Sequence, residues 1–75
     1  MTLKNARAGA VYKIYSMKLD HVIRRRLEAL GLTRGTDIKV LNRNCEGAAI
    51  VMVRGSRLAL GSKITEEIYM GEAFK

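Results

Sequence analysis

Apolar and polar residues change period several times along this chain, and each change marks an element. From Ala10 to Tyr15, the stretch AVYKIY alternates and carries valine, isoleucine and two tyrosines, the pattern of a half-buried strand. The period then lengthens. Leu19, Val22, Ile23, Leu27 and Leu30 fall on one stripe at helical spacing, which leaves Arg24, Arg25 and Glu28 to face water. Asp20 is placed to accept from the first free amides as an N-cap. Gly31 follows the last apolar position, where a helix closes on a left-handed residue, and Leu32 can fold back onto the helix as a cap contact. The pattern predicts a helix of about ten residues with one packed face.

Beyond the helix, DIKVLNR (37 to 43) reads as a strand with Ile38 and Val40 on one face. NRNCEG (42 to 47) is the strongest turn signal, and AAIVMVR (48 to 54) is an apolar run of strand length. Gly55-Ser56 then predicts a tight hairpin with glycine at its first loop position, leading into RLAL. Ser62 can cap one short helical turn that brings Ile64 and Ile68 together, and EIYM (67 to 70) supplies a closing strand. Short strands, tight turns and one helix imply a mainly β fold, a small curled antiparallel sheet or barrel that hides its edges by closing.

Composition agrees with this picture and narrows it. The 75 residues suit one domain spanning 1–75, with 48% hydrophobic residues, no proline and no linker or repeat to divide them. The opening MTLKNARAG lacks the apolar run of a signal peptide and no membrane-span-length run follows, so a cytoplasmic location is expected, with at most a peripheral membrane association. A lone cysteine, Cys45, has no internal disulfide partner. Fourteen Lys and Arg against seven Asp and Glu give a net charge of +7, which favours acidic partners without choosing among nucleic acid, lipid and protein.

The order of motifs resembles the FeoA family of small proteins associated with bacterial ferrous iron transport. It is carried by RRLEALGLTRGTDIKVLNRN, then IVMVRGSRLALGSKI and EEIYM, from about Gly9 to Met70. The most specific parts are Leu27, Leu30-Gly31-Leu32 with Gly35, and Arg54-Gly55 with Leu58-Ala59-Leu60. The resemblance implies an SH3-like barrel and a cytoplasmic accessory of the membrane GTPase transporter FeoB. A related module ends the iron-dependent repressors of the diphtheria-toxin-repressor type, so the fold by itself does not fix the role. The chain departs from the family in one turn: it has Asn44-Cys45-Glu46-Gly47-Ala48 where many members carry a proline or Gly-Asp-Pro.

Candidate chemistry is sparse. GSRLALGSK (55 to 63) lacks the spacing of a phosphate loop, and the Gly31 to Gly35 loop leaves a helix C-terminus, the wrong polarity for phosphate. One His, His21, and one Cys offer no ligand pair, and Glu66 and Glu67 are adjacent on different sides of their element. No tightly bound cofactor or metal is expected; only the resemblance implies a weak association with iron or another transition metal. Ser16, Ser56, Ser62 and Cys45 have one histidine among them and nothing that places it beside any of them, so no catalysis is expected. The candidate partner-binding residues are Arg24, Arg25 and Arg34 on the helix ridge and Arg54 and Arg57 at the hairpin tip, with Tyr12, Tyr15 and Leu41 as candidate exposed apolar side chains. The alternative, a nucleic-acid-binding barrel, is supported by charge but needs aromatic stacking platforms, and only three tyrosines and Phe74 are present.

Overall fold

The computed structural model describes residues 1–44 and 46–72. Cys45 and Phe74, named above, lie outside the described residues. Five antiparallel strands form one sheet in the order β4-β3-β2-β1-β5: β1 Val11–Met17, β2 Asp37–Arg43, β3 Ala49–Val53, β4 Ser56–Leu60 and β5 Ile68–Glu72. Helix α1, His21–Ala29, connects β1 to β2, and the four-residue α2, Ser62–Thr65, connects β4 to β5. A single 3-10 turn, Leu3–Asn5, precedes β1. This is the mainly β, curled antiparallel sheet that the strand pattern implies, in the SH3-like form that the resemblance implies, with β4 and β5 as its two ends.

Curling has a local cause. The β1–β5 register shifts between Ile14 and Ser16, and the β2–β3 register shifts between Val40 and Asn42. An extra residue on one strand bends it and increases its twist, so two bulges wrap the sheet around its own apolar face. That face holds Ile14, Ile38, Val40, Val51, Val53, Ile68 and Met70, all buried, with Leu27, Leu32 and Leu3 closing over them.

Local sequence explains the ends of α1. The Asp20 carboxylate accepts from the Val22 amide at 2.9 Å. At the other end, Gly31 has φ +106°, its amide donates to the Glu28 carbonyl, and the Leu32 amide donates to the Leu27 carbonyl, both at 3.0 Å. This is the paired closure that needs a left-handed residue, and it drops Leu32 into the core.

Four expectations are corrected. The stripe predicted for α1 is narrower than its spacing suggested: Leu27 is buried and Ile23 packs on the core, whereas Val22 and Leu30 are exposed. A nine-residue helix touching a curved sheet covers only one row of side chains. Next, the β3–β4 loop is Arg54-Gly55, one residue earlier than predicted, because Val53 pairs with Ser56 and both loop residues have positive φ, +50° and +81°. Such a turn matches the twist of the strands, and glycine takes its second position. Further, Tyr12 is buried, two residues from Ile14 on the same face, with its hydroxyl accepting from the Arg7 amide at 2.9 Å. Finally, the short helical turn starts as expected, although Gly61 rather than Ser62 occupies its cap position.

Candidate functional site

The candidate arginines fall into separate groups. Arg24 and Arg34 come together on the rim of a depression of about 210 Å³ between α1 and the bulged end of β1, which Tyr15, Ser16 and Glu28 also line. Arg24 reaches it from the flank of α1 and is half-buried; Arg34 reaches it from the loop that Gly31 starts. Neither forms an ion pair among the described residues, where the ion pairs are Lys4–Glu66 at 3.6 Å and Lys13–Asp37 at 3.4 Å. Arg25 is exposed and does not line this depression.

Tyr15 is the exposed aromatic of the rim. It is the residue at the β1 bulge, and its ring lies across Gly71 of β5, where an added Cβ would fall 2.5–2.8 Å from three ring and hydroxyl atoms. The glycine therefore lets the ring lie flat against the neighbouring strand. Alternation along AVYKIY marks Tyr15 as a surface candidate, but the bulge that redirects Ser16 and Met17 has no signature in the sequence.

Arg54 belongs elsewhere. Its aliphatic stem crosses the helix C-terminus, where a Cβ added to Gly31 would lie 3.1 Å from Arg54 Cδ. A cation at this end meets the negative pole of the helix and the last unpaired carbonyls, a favourable arrangement. Two motifs separated by more than twenty residues, Leu30-Gly31-Leu32 and Arg54-Gly55, thus meet in space. Arg57 stands exposed on β4 opposite Met52.

The larger depression, about 410 Å³, lies at the other bulge and is walled by Asn42, Arg43, Ala48, Ile50, Ala59 and Gly61. Its lining among the described residues includes none of the five candidate arginines and no carboxylate or histidine. Among the described residues no three His, Cys, Asp or Glu side chains gather to hold a metal ion, and His21 stands exposed in the first turn of α1. Those residues do not fit a resident metal. Titration with Zn²⁺ or Fe²⁺ is expected to give no stoichiometric binding tighter than roughly micromolar, far weaker than structural zinc sites. A tight one-to-one isotherm abolished by replacing His21 or Cys45 would refute this.

With this geometry in view, comparison with known proteins is informative. The FeoA domain model matches residues 1–70. The chain belongs to the FeoA family. An FeoA protein of Chlorobium tepidum, solved in solution, superimposes with a TM-score of 0.88 at 32% identity, over 96% of this chain and 70% of that one. The zinc-complexed FeoA of Stenotrophomonas maltophilia, described as a prokaryotic SH3 domain protein, gives 0.80 at 24% identity, over 95% of this chain and 89% of that one. The manganese regulator SloR gives 0.81 at 22% identity, over 97% of this chain but 34% of the regulator, a likeness of fold alone. No curated protein sequence matches the chain. No described helix of this FeoA chain is long and apolar enough to cross a membrane.

Proposed function

We propose that this FeoA-family chain is a non-catalytic accessory of bacterial ferrous iron transport, which works from the cytoplasmic side by binding the transporter FeoB. Family membership supports the link to ferrous iron transport: relatives of the same fold are described as an iron(II) transport protein and as an iron uptake regulatory protein. The observation that carries the binding role is the convergence of Arg24 and Arg34 on one depression with no ion-pair partner among the described residues. Two guanidiniums converging there suit an acidic patch, since their forked donors match carboxylates. Arg25 extends this positive surface over the helix. The nucleic-acid reading loses support from the burial of Tyr12, which leaves Tyr15 as the one strongly exposed aromatic among the described residues.

The triple variant Arg24→Glu, Arg25→Glu, Arg34→Glu tests this. Folding is expected to change by about 0.5 kcal/mol or less at each of the exposed Arg25 and Arg34, and by more at half-buried Arg24. Association with the cytoplasmic part of FeoB should slow roughly tenfold or more, with the parent's advantage shrinking as salt is added. A folded triple variant that binds as the parent does, and still supports iron uptake in a strain lacking the parent, would overturn the assignment.

A further inference from the structure

Away from the depression, the solvent-facing half of α1 carries a different pattern. Side chains four residues apart stack one above another on a helix. The outer half therefore presents two rows, His21, Arg25 and Ala29 in one, and Val22, Arg26 and Leu30 in the other. All six are exposed and none is acidic. The only carboxylate within α1, Glu28, sits instead in the row with Arg24 on the rim of the depression. Val22 is 57% exposed and Leu30 53%, the former the most exposed large hydrophobic side chain described. Eight residues separate them, about 12 Å along the axis, with Arg26 midway.

We propose that this outer half of α1 docks on an anionic lipid bilayer and seats the domain with the helix lying along the membrane surface. The arrangement of charge and apolar groups favours lipid over protein. A protein interface gathers its apolar anchors into one desolvated patch and keeps most charge at the rim. Here the Arg26 guanidinium stands midway between the two apolar side chains on the exposed side of the helix. A bilayer accepts such a pattern: Val22 and Leu30 each enter between headgroups independently, while Arg25 and Arg26 extend their stems to lipid phosphates. The two rows themselves carry no carboxylate, and although Glu28 borders His21 and the N-cap Asp20 lies beside Val22, Arg25 and Arg26 leave the face net positive toward an anionic surface. The overall +7 charge adds long-range attraction, and the helix face supplies the orientation.

Co-sedimentation with vesicles tests the proposal without any protein partner, so it succeeds or fails independently of FeoB binding. At low salt the protein is expected to partition onto phosphatidylcholine vesicles containing phosphatidylglycerol, and not onto pure phosphatidylcholine, and to be released by added salt. Arg25→Gln with Arg26→Gln should lower the partition coefficient roughly thirtyfold. Val22→Ser with Leu30→Ser, which leaves charge unchanged, should lower it roughly tenfold. Lys39→Gln with Lys63→Gln removes the same charge from exposed positions off this face and should stay within about threefold of the parent. Circular dichroism confirms that each variant is folded. The proposal fails if the parent ignores the anionic vesicles, if the two charge pairs lose binding equally, or if the serine variant partitions like the parent. It also fails if the Arg25 and Arg26 variant keeps its vesicle binding and loses only its grip on FeoB, an outcome that makes the face a protein surface.

Discussion

Leu32→Ala is expected to lower the unfolding free energy by about 2–5 kcal/mol, the range for deleting a leucine from a packed core. The side chain is fully buried and belongs to the same core cluster as Leu27, while its amide closes the C-terminal cap of α1 on the Leu27 carbonyl. Alanine at 32 keeps the cap and empties the core beneath it. For a domain of this size each kcal/mol is worth about 4–8 °C, so the melting temperature should fall by roughly 10 °C or more. The consequence reaches the candidate site. Arg24 rides on the helix and Arg34 on the loop that follows Leu32, so a loosened junction alters their spacing and should weaken partner binding as well. A melting temperature within two or three degrees of the parent would show that the helix is held by other contacts.

Thr65→Val is expected to cost about 1–3 kcal/mol, although it changes neither size nor shape. Thr65 is buried, and its hydroxyl donates to the Gly47 carbonyl at 2.6 Å, with the Ser62 carbonyl a second acceptor at 3.1 Å. Valine removes the donor and strands a carbonyl, which costs more than the hydrogen bond itself contributed. Thr65→Ser retains the hydroxyl and should recover most of the loss apart from that of one methyl group. Urea unfolding of the pair separates the two effects; equal destabilisation by Val and Ser would mean that packing, not the hydrogen bond, matters at this position. Faster hydrogen exchange at the Ala48 amide, which donates to the Asn44 side chain at 3.0 Å, should accompany the loss in Thr65→Val.

What the sequence revealed follows a physical line. Elements whose signal is local were legible: the Asp20 cap, the left-handed Gly31, and β2 over residues 37–43 with Ile38 and Val40 inward. Features decided by neighbours distant in the chain were not. Spacing identified Val22 and Leu30 as apolar and in phase, yet only contact with the sheet decides which rows of a short helix are covered. The hairpin was predicted one residue late because glycine was placed at its first loop position, whereas the pairing of Val53 with Ser56 puts Arg54 there at a positive φ that arginine rarely takes. The five arginines were picked by charge. That Arg24 and Arg34 share a depression while Arg54 lies over Gly31 depends on a bulge in β1 and on a hairpin tip reaching a helix end, neither of which has a local signature. Thr65 was missed altogether, since a single threonine in a short helical turn gives no sign of the acceptor eighteen residues earlier.

The placement of β1 inside the sheet, between β2 and β5, bears on how the chain acquires its structure. Tyr12 pairs with Glu72 and Met17 with Ile68, so β1 finds one of its two neighbours only after β2, β3 and β4 have been made. Until then Ile14 and Tyr12 have half their shelter missing, and the core cannot close stepwise from the N-terminus. The stretch that must be closed runs from Met17 to Ile68 through every other strand, which makes folding of this domain a late, concerted event with the slower rates of non-local β topologies. A chain interrupted before β5 would leave the β1 edge of the sheet unpaired and suited to pairing with another unfinished copy, so an incomplete chain is a state in which this domain is open to aggregation.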